Sequence, residues 1–134
     1  MRLLICGSRK YKGYEFVRNT LDRIMEERGC CGKHGPIDSR IPITVIHGGA
    51  QGVDWLADQW AVVNWLHIEE YKAKWDVHGL TAGPIRNQQM IDMGKPDLVV
   101  AFPGGRGTKD LVQRAKSKGI EVIEVADETT LDNK

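Results

Sequence analysis

Three times along this chain a short apolar run ends in a turn of small residues that opens directly into a helix, and few folds accept that pattern. The clearest instance is Val99-Val100-Ala101-Phe102-Pro103-Gly104-Gly105-Arg106-Gly107-Thr108. Pro103 stops the strand, and the glycines that follow permit positive φ and close approach of a ligand. Backbone N–H groups at such a helix start make a ready phosphate site. In the same way Ile43-Thr44-Val45-Ile46-His47 delivers Gly48-Gly49-Ala50-Gln51-Gly52-Val53-Asp54, and Arg2-Leu3-Leu4-Ile5-Cys6 delivers Gly7-Ser8-Arg9. Many strand-to-helix turns carry glycine only to reverse the chain. Three of them at strand carboxyl ends point to one shared crevice, because parallel α/β sheets collect ligands there.

Apolar periodicity predicts strands over about 2–6, 43–47, 67–72, 97–102 and 120–125, and helices over about 14–28, 53–65, 84–92 and 107–118. Strands that alternate with helices in this way predict an α/β protein, a Rossmann-like three-layer α/β/α arrangement around a parallel five-stranded sheet. Right-handed crossovers leave few topologies, and 3-2-1-4-5 is the expected order. The 134 residues suffice for one domain with a real core, expected over 1–126, with 127–134 a polar tail. Residues 29–42 lack apolar periodicity and read as a surface excursion.

Composition narrows the function class. Nineteen Lys and Arg against 18 Asp and Glu leave a net charge of +1, which gives no global argument for nucleic acid or a membrane surface. No apolar run reaches membrane-span length, and a core strand at the amino terminus predicts no signal peptide. Cys6 reads as a small buried apolar residue, while the adjacent Cys30 and Cys31 are poorly placed to bond to each other. Three cysteines without a framework fit a reducing, cytoplasmic setting. His34 lies near Cys30 and Cys31, but a zinc site needs a further ligand, so no metal is expected.

Several side chains carry candidate chemistry. Trp60 falls on the buried stripe of its helix and Trp55 on another face, where an exposed Trp suits self-association or base stacking. Asp54 opens the same helix, where a carboxylate complements the dipole or grips a ribose hydroxyl. Asp76 and His78 are acid–base candidates against an ordinary surface reading. Pro84 suits the first position of its helix, which puts Arg86 and Asn87 in the first turn. A cation there opposes the helix dipole, so an anionic ligand or a neighbouring carboxylate explains Arg86, and guanidinium pairs bidentately with phosphate. On this reading Arg86→Ala removes phosphate binding and leaves the fold intact.

Gly7-Ser8-Arg9, His47-Gly48-Gly49-Ala50-Gln51-Gly52-Val53-Asp54, Ala82-Gly83-Pro84-Ile85-Arg86-Asn87-Gln88-Gln89-Met90 and Ala101-Phe102-Pro103-Gly104-Gly105-Arg106-Gly107-Thr108 occur in that order. The set resembles the SLOG superfamily, specifically its small stand-alone branch related to YspA and cpYpsA. The Lonely Guy phosphoribohydrolases and DNA-processing protein A are its wider relatives. The resemblance covers residues 2–125 and implies a phage or bacterial protein with a nucleotide or ADP-ribose-like ligand at the strand carboxyl ends. The ligand-binding residues it implies, together with the loop reading, are Gly7, Ser8, Arg9, Gly48, Gly49, Ala50, Asp54, Arg86, Asn87, Pro103, Gly104, Gly105, Arg106, Gly107 and Thr108.

The Lonely Guy loop continues to a catalytic Glu, and here that position is Leu111. Asp110 lies one residue early, a rotation of about 100° around the helix, and so does not simply substitute. That departure favours a sensor or sequestering protein, a possible homo-oligomer that needs no cofactor. The alternative is a hydrolase of an N-glycosidic or phosphate bond, with Asp54, Asp76, His78 or Asp110 in acid–base roles. A third reading is a protein- or nucleic-acid-interaction module, with nucleic acid disfavoured by the charge balance.

Overall fold

The computed structural model describes residues 1–30, 37 and 40–126. The elements in chain order are β1 (Arg2–Cys6), α1 (Tyr14–Glu27), β2 (Thr44–His47), α2 (Val53–Val63), β3 (His67–Glu70), α3 (Trp75–His78), α4 (Ala82–Asp92), β4 (Leu98–Ala101), α5 (Arg106–Ser117) and β5 (Glu121–Glu124). A 3-10 turn, Gly79–Thr81, joins α3 to α4. The five strands are parallel in the order β3-β2-β1-β4-β5, the order the sequence predicts.

Strand alternation builds the layers, because successive side chains point to opposite faces. Leu3 and Ile5 of β1 join the core shared with α1 and α2, while Leu4 and Cys6 join the core shared with α4 and α5. The inner strands β1 and β4 are buried along almost their whole length, which is why they read as continuous apolar runs. Trp60 lies in the first core and its Nε1–H donates to Asp22 Oδ1 at 2.9 Å, so the indole ties α2 to α1 without stranding its polar atom. Trp55, Trp65 and Trp75 are exposed. On the edge strand β3, Glu69 accepts two bonds from Arg2 Nη2, at 2.7 and 2.6 Å, and one from the Tyr71 hydroxyl at 2.7 Å. These bonds hold its carboxyl below the usual glutamate range.

Element boundaries differ from expectation in informative ways. Four residues, Trp75–His78, form the single turn α3, which the periodicity does not predict. The 3-10 turn feeds α4 from Ala82, so Pro84 is the third helical residue and not the first. Its missing N–H costs nothing there, since the first N–H groups of a helix have no i−4 acceptor. Arg86 and Asn87 consequently sit in the second turn, and the dipole argument for Arg86 gives way to its burial. α2 ends at Val63, and Trp65 takes the left-handed position after its cap.

Among the described residues no helix is long and apolar enough to cross a membrane, and no group of three or more His, Cys, Asp or Glu could hold a metal. Cys6 and Cys30 are buried free thiols. Cys31, His34, most of the 29–42 excursion and the 127–134 tail lie outside the described residues.

Candidate functional site

The three loops at the carboxyl ends of β1, β2 and β4 are interlocked by backbone bonds through Ser8. Ser8 N–H donates to Pro103 O at 3.0 Å, and Val53 N–H donates to Ser8 O at 3.0 Å. This closeness demands glycine at two positions. A Cβ on Gly52, whose φ is +76°, would lie 2.1 Å from Ser8 O, and one on Gly104 would lie 2.2 Å from Thr108 Oγ1. The convergence expected from three separate loops is therefore a physical contact.

Above this knot lies a crevice of about 410 Å³. Its lining includes the start of α5, with Gly105, Arg106, Gly107 and Thr108, and also Arg9 and Arg86. The first backbone bond of α5 runs from Lys109 N–H to Gly105 O at 3.1 Å, and no side chain caps the helix. The earlier N–H groups thus have no helical acceptor. A Cβ on Gly105 or Gly107 would meet nothing within 4 Å, so internal packing does not require glycine there. Glycine in a helix costs about 1 kcal/mol relative to alanine. Open space beside a crevice is where that cost has a use, since it lets a ligand approach the backbone.

Arg86 is only 9% exposed. Its Nη1 donates to Gly48 O at 2.5 Å and its Nε to Asn87 Oδ1 at 3.1 Å. Burial lowers its pKa, Asp54 opposes that shift, and the nearby Arg9 adds to it. Two guanidinium groups held close together in one crevice are a natural receptor for an anion. Arg86 is also structural, which corrects the expectation that Arg86→Ala leaves the fold untouched.

Asp54 lies on the floor of the same crevice, 7% exposed, and accepts the Ala50 N–H at 3.2 Å. Burial pushes its carboxyl above the usual aspartate value, against the opposing pull of that N–H and of Arg86. Cys6 and Met90 also line the crevice, and burial pushes the Cys6 thiol far up, so it is no nucleophile.

The remaining candidates separate. Gly7, Ser8 and Ala50 line this crevice, while Gly48 and Gly49 line an adjoining one of about 560 Å³ that shares Arg9, Ala50 and Arg86. Pro103 and Gly104 face a different crevice, between α5 and β5. Asn87 lines the first crevice, but its Nδ2 donates to Gly107 O at 3.1 Å and to Asp110 Oδ2 at 3.0 Å, so it clamps α4 to the start of α5. Asp110 is absent from the crevice lining and is held by Arg114 Nε at 2.8 Å. Burial alone would raise its pKa, yet the bonds from Arg114 and Asn87 prevail and keep it low. Leu111 is 1% exposed in the core beside α4. Asp76 and His78 lie exposed on α3 and line none of the three crevices.

Sequence reading missed three contributors. His47 is buried, and it accepts Gly49 N–H on Nδ1 at 3.0 Å, which leaves Nε2 to donate to Asp58 Oδ1 at 2.9 Å. This pair fixes the turn of the second loop. Lys10 adds a cation to the first crevice. Trp75 lines the second, with the Arg9 guanidinium carbon 5.3 Å from its ring centroid. An alternation of charge and aromatic residues around the loops was the available signal for the last two.

Comparison with known proteins agrees with this architecture. Residues 1–78, which carry the first two loops, match the YspA, cpYpsA-related SLOG family. Over an alignment of 136 residues the chain is 35% identical to the Gene 61 protein of Mycobacterium phage D29, covering 94% of this chain and 97% of that one. That relative's name states no activity. By both its loops and its relatives, the chain belongs to the YspA, cpYpsA-related SLOG family.

Proposed function

We propose that the protein binds a nucleotide-type small molecule, one that carries phosphate and ribose, at the carboxyl edge of the sheet, and that it senses or sequesters that molecule. One observation carries this reading. The uncapped start of α5, left open by Gly105 and Gly107, lines a single crevice together with Arg9 and Arg86. Backbone donors, a helix dipole and two guanidinium groups together suit a phosphate better than any uncharged ligand. Asp54, on the crevice floor, suits a ribose hydroxyl as its partner. Membership of the family supports a nucleotide-related role of this kind.

The test is mass spectrometry of small molecules released from the protein as purified from its host. A phosphorylated nucleoside or ADP-ribose derivative, in stoichiometric amount and absent from an Arg86→Ala preparation, supports the reading. Release of unphosphorylated ligand alone contradicts it.

A specific observation favours a second reading, a hydrolase. Burial raises the pKa of Asp54, and a carboxyl tuned in that direction suits general acid work. Conversion of a bound nucleotide to free base and ribose phosphate would establish it, and Asp54→Asn would abolish that conversion. An unaltered nucleotide after long incubation excludes it in favour of binding alone.

A further inference from the structure

The crevice at the start of α5 and its neighbour meet at shared residues. The second crevice shares Arg9, Ala50 and Arg86 with the first and extends past them to Lys72 and Trp75. Trp75 is 46% exposed, and a Cβ on Gly83 would stand 3.4 Å from its Cη2. The Arg9 guanidinium carbon lies over the ring, 5.3 Å from its centroid. An exposed indole on a crevice wall, already in contact with one planar cation, offers a surface on which a base can stack. The charge count is equally uneven. Arg9, Lys10, Arg86 and Arg106 line the first crevice against Asp54 alone, while Lys72 in the second is paired with Glu70 at 3.5 Å. A single phosphate leaves most of that charge uncompensated.

We propose that the two crevices take one ligand of the nucleoside diphosphate class, its base stacked on Trp75 in place of the Arg9 guanidinium, and its phosphates held by Arg86, the start of α5 and the Arg9 side chain so released. This rests on the nucleotide reading above and adds the phosphate number and the base platform. Stacking on an aromatic ring tolerates any base, so Trp75 supplies affinity more than base identity.

Calorimetric titration with ADP and with inorganic pyrophosphate separates the two layers of the argument. Wild type is expected to bind ADP about tenfold or more tightly than pyrophosphate, the size of a base–aromatic stack. Trp75→Ala lowers ADP affinity toward that of pyrophosphate, the ribose contact to Asp54 remaining, and leaves pyrophosphate unchanged, while Trp75→Phe retains most of the difference. If pyrophosphate binds and Trp75→Ala leaves the ratio of the two affinities intact, the platform is overturned and the phosphate site stands. Equal loss for both ligands also overturns it, since Trp75 then acts only by positioning Arg9. Failure of wild type to bind either probe overturns the nucleotide reading as well.

Discussion

Replacing Arg86 by alanine removes a guanidinium that holds Gly48 O and Asn87 Oδ1 while facing the crevice, so its structural and binding roles fail together. The variant is expected to lose about 1–3 kcal/mol in urea denaturation, the cost of stranding a buried acceptor. Phosphate-dependent binding is expected to disappear at the same time. Arg86→Lys keeps the charge without the planar fork, and should recover stability only in part. Asp54 gives a prediction with a definite sign. Its pKa is raised in the folded state, so the stability it confers is fully present below its unfolded value and lost as pH rises through its folded value. Denaturation of wild type and Asp54→Asn from about pH 3 to 7 should show wild type losing ground relative to the variant as pH rises. Wild type gaining stability relative to the variant as pH rises would contradict the burial account. These residue roles were only half legible. Arg86 stands out in the sequence as a cation opposing the dipole of a first turn, a position it does not hold, and its burial was not legible. Nothing in the pattern announced His47, whose partner Asp58 comes near only when α2 packs beside β2.

At the scale of elements, the start of α5 separates stability from function. Gly107 has open space around its Cα, so Gly107→Ala is expected to raise the stability of the free protein by up to about 1 kcal/mol. The added methyl enters the crevice wall, and the ligand-induced gain in Tm should shrink. A variant that gains stability and keeps full ligand response would mean that glycine there serves no ligand. The end of α2 offers an independent check on backbone reasoning. Leu66 N–H donates to Ala61 O at 2.9 Å and Trp65 N–H to Val62 O at 3.1 Å, a Schellman motif with Trp65 at φ 57° where α1 and α5 place Gly29 and Gly119. Trp65 is 94% exposed and gives up almost no packing. Trp65→Gly is therefore expected to stabilise by about 1 kcal/mol in thermal unfolding, the cost of a bulky residue in the left-handed region. Strands and long helices were legible because burial imposes a period. α3 was not, because a single turn of four residues has no period to read.

For the whole molecule, strand order followed from alternation and crossover handedness, and the sheet has that order. The meeting of the loops was also legible, since parallel topology brings strand carboxyl ends to one edge. What lay beyond the sequence was which face each loop residue serves. Pro103 and Gly104 belong to the β4–α5 turn, yet they line the crevice beside β5, while Gly105 lines the one shared with Arg9 and Arg86. The pairing of Arg9 with Trp75 likewise depends on tertiary placement alone. Near-neutral charge over the whole chain hides the concentration of cations around one crevice, so net charge was silent about the local field.

The central claim is that this crevice is a phosphate-reading nucleotide site. It is tested most directly by thermal unfolding of wild type and Arg86→Ala across a panel of nucleoside mono- and diphosphates and ADP-ribose. At about 100-fold over Kd one bound ligand adds about 2.7 kcal/mol, several degrees in Tm. The account predicts such a rise for at least one phosphorylated member with wild type, none for the matching nucleosides, and none with Arg86→Ala. A wild-type Tm that no member of the panel moves, or an equal rise in both proteins, would contradict it.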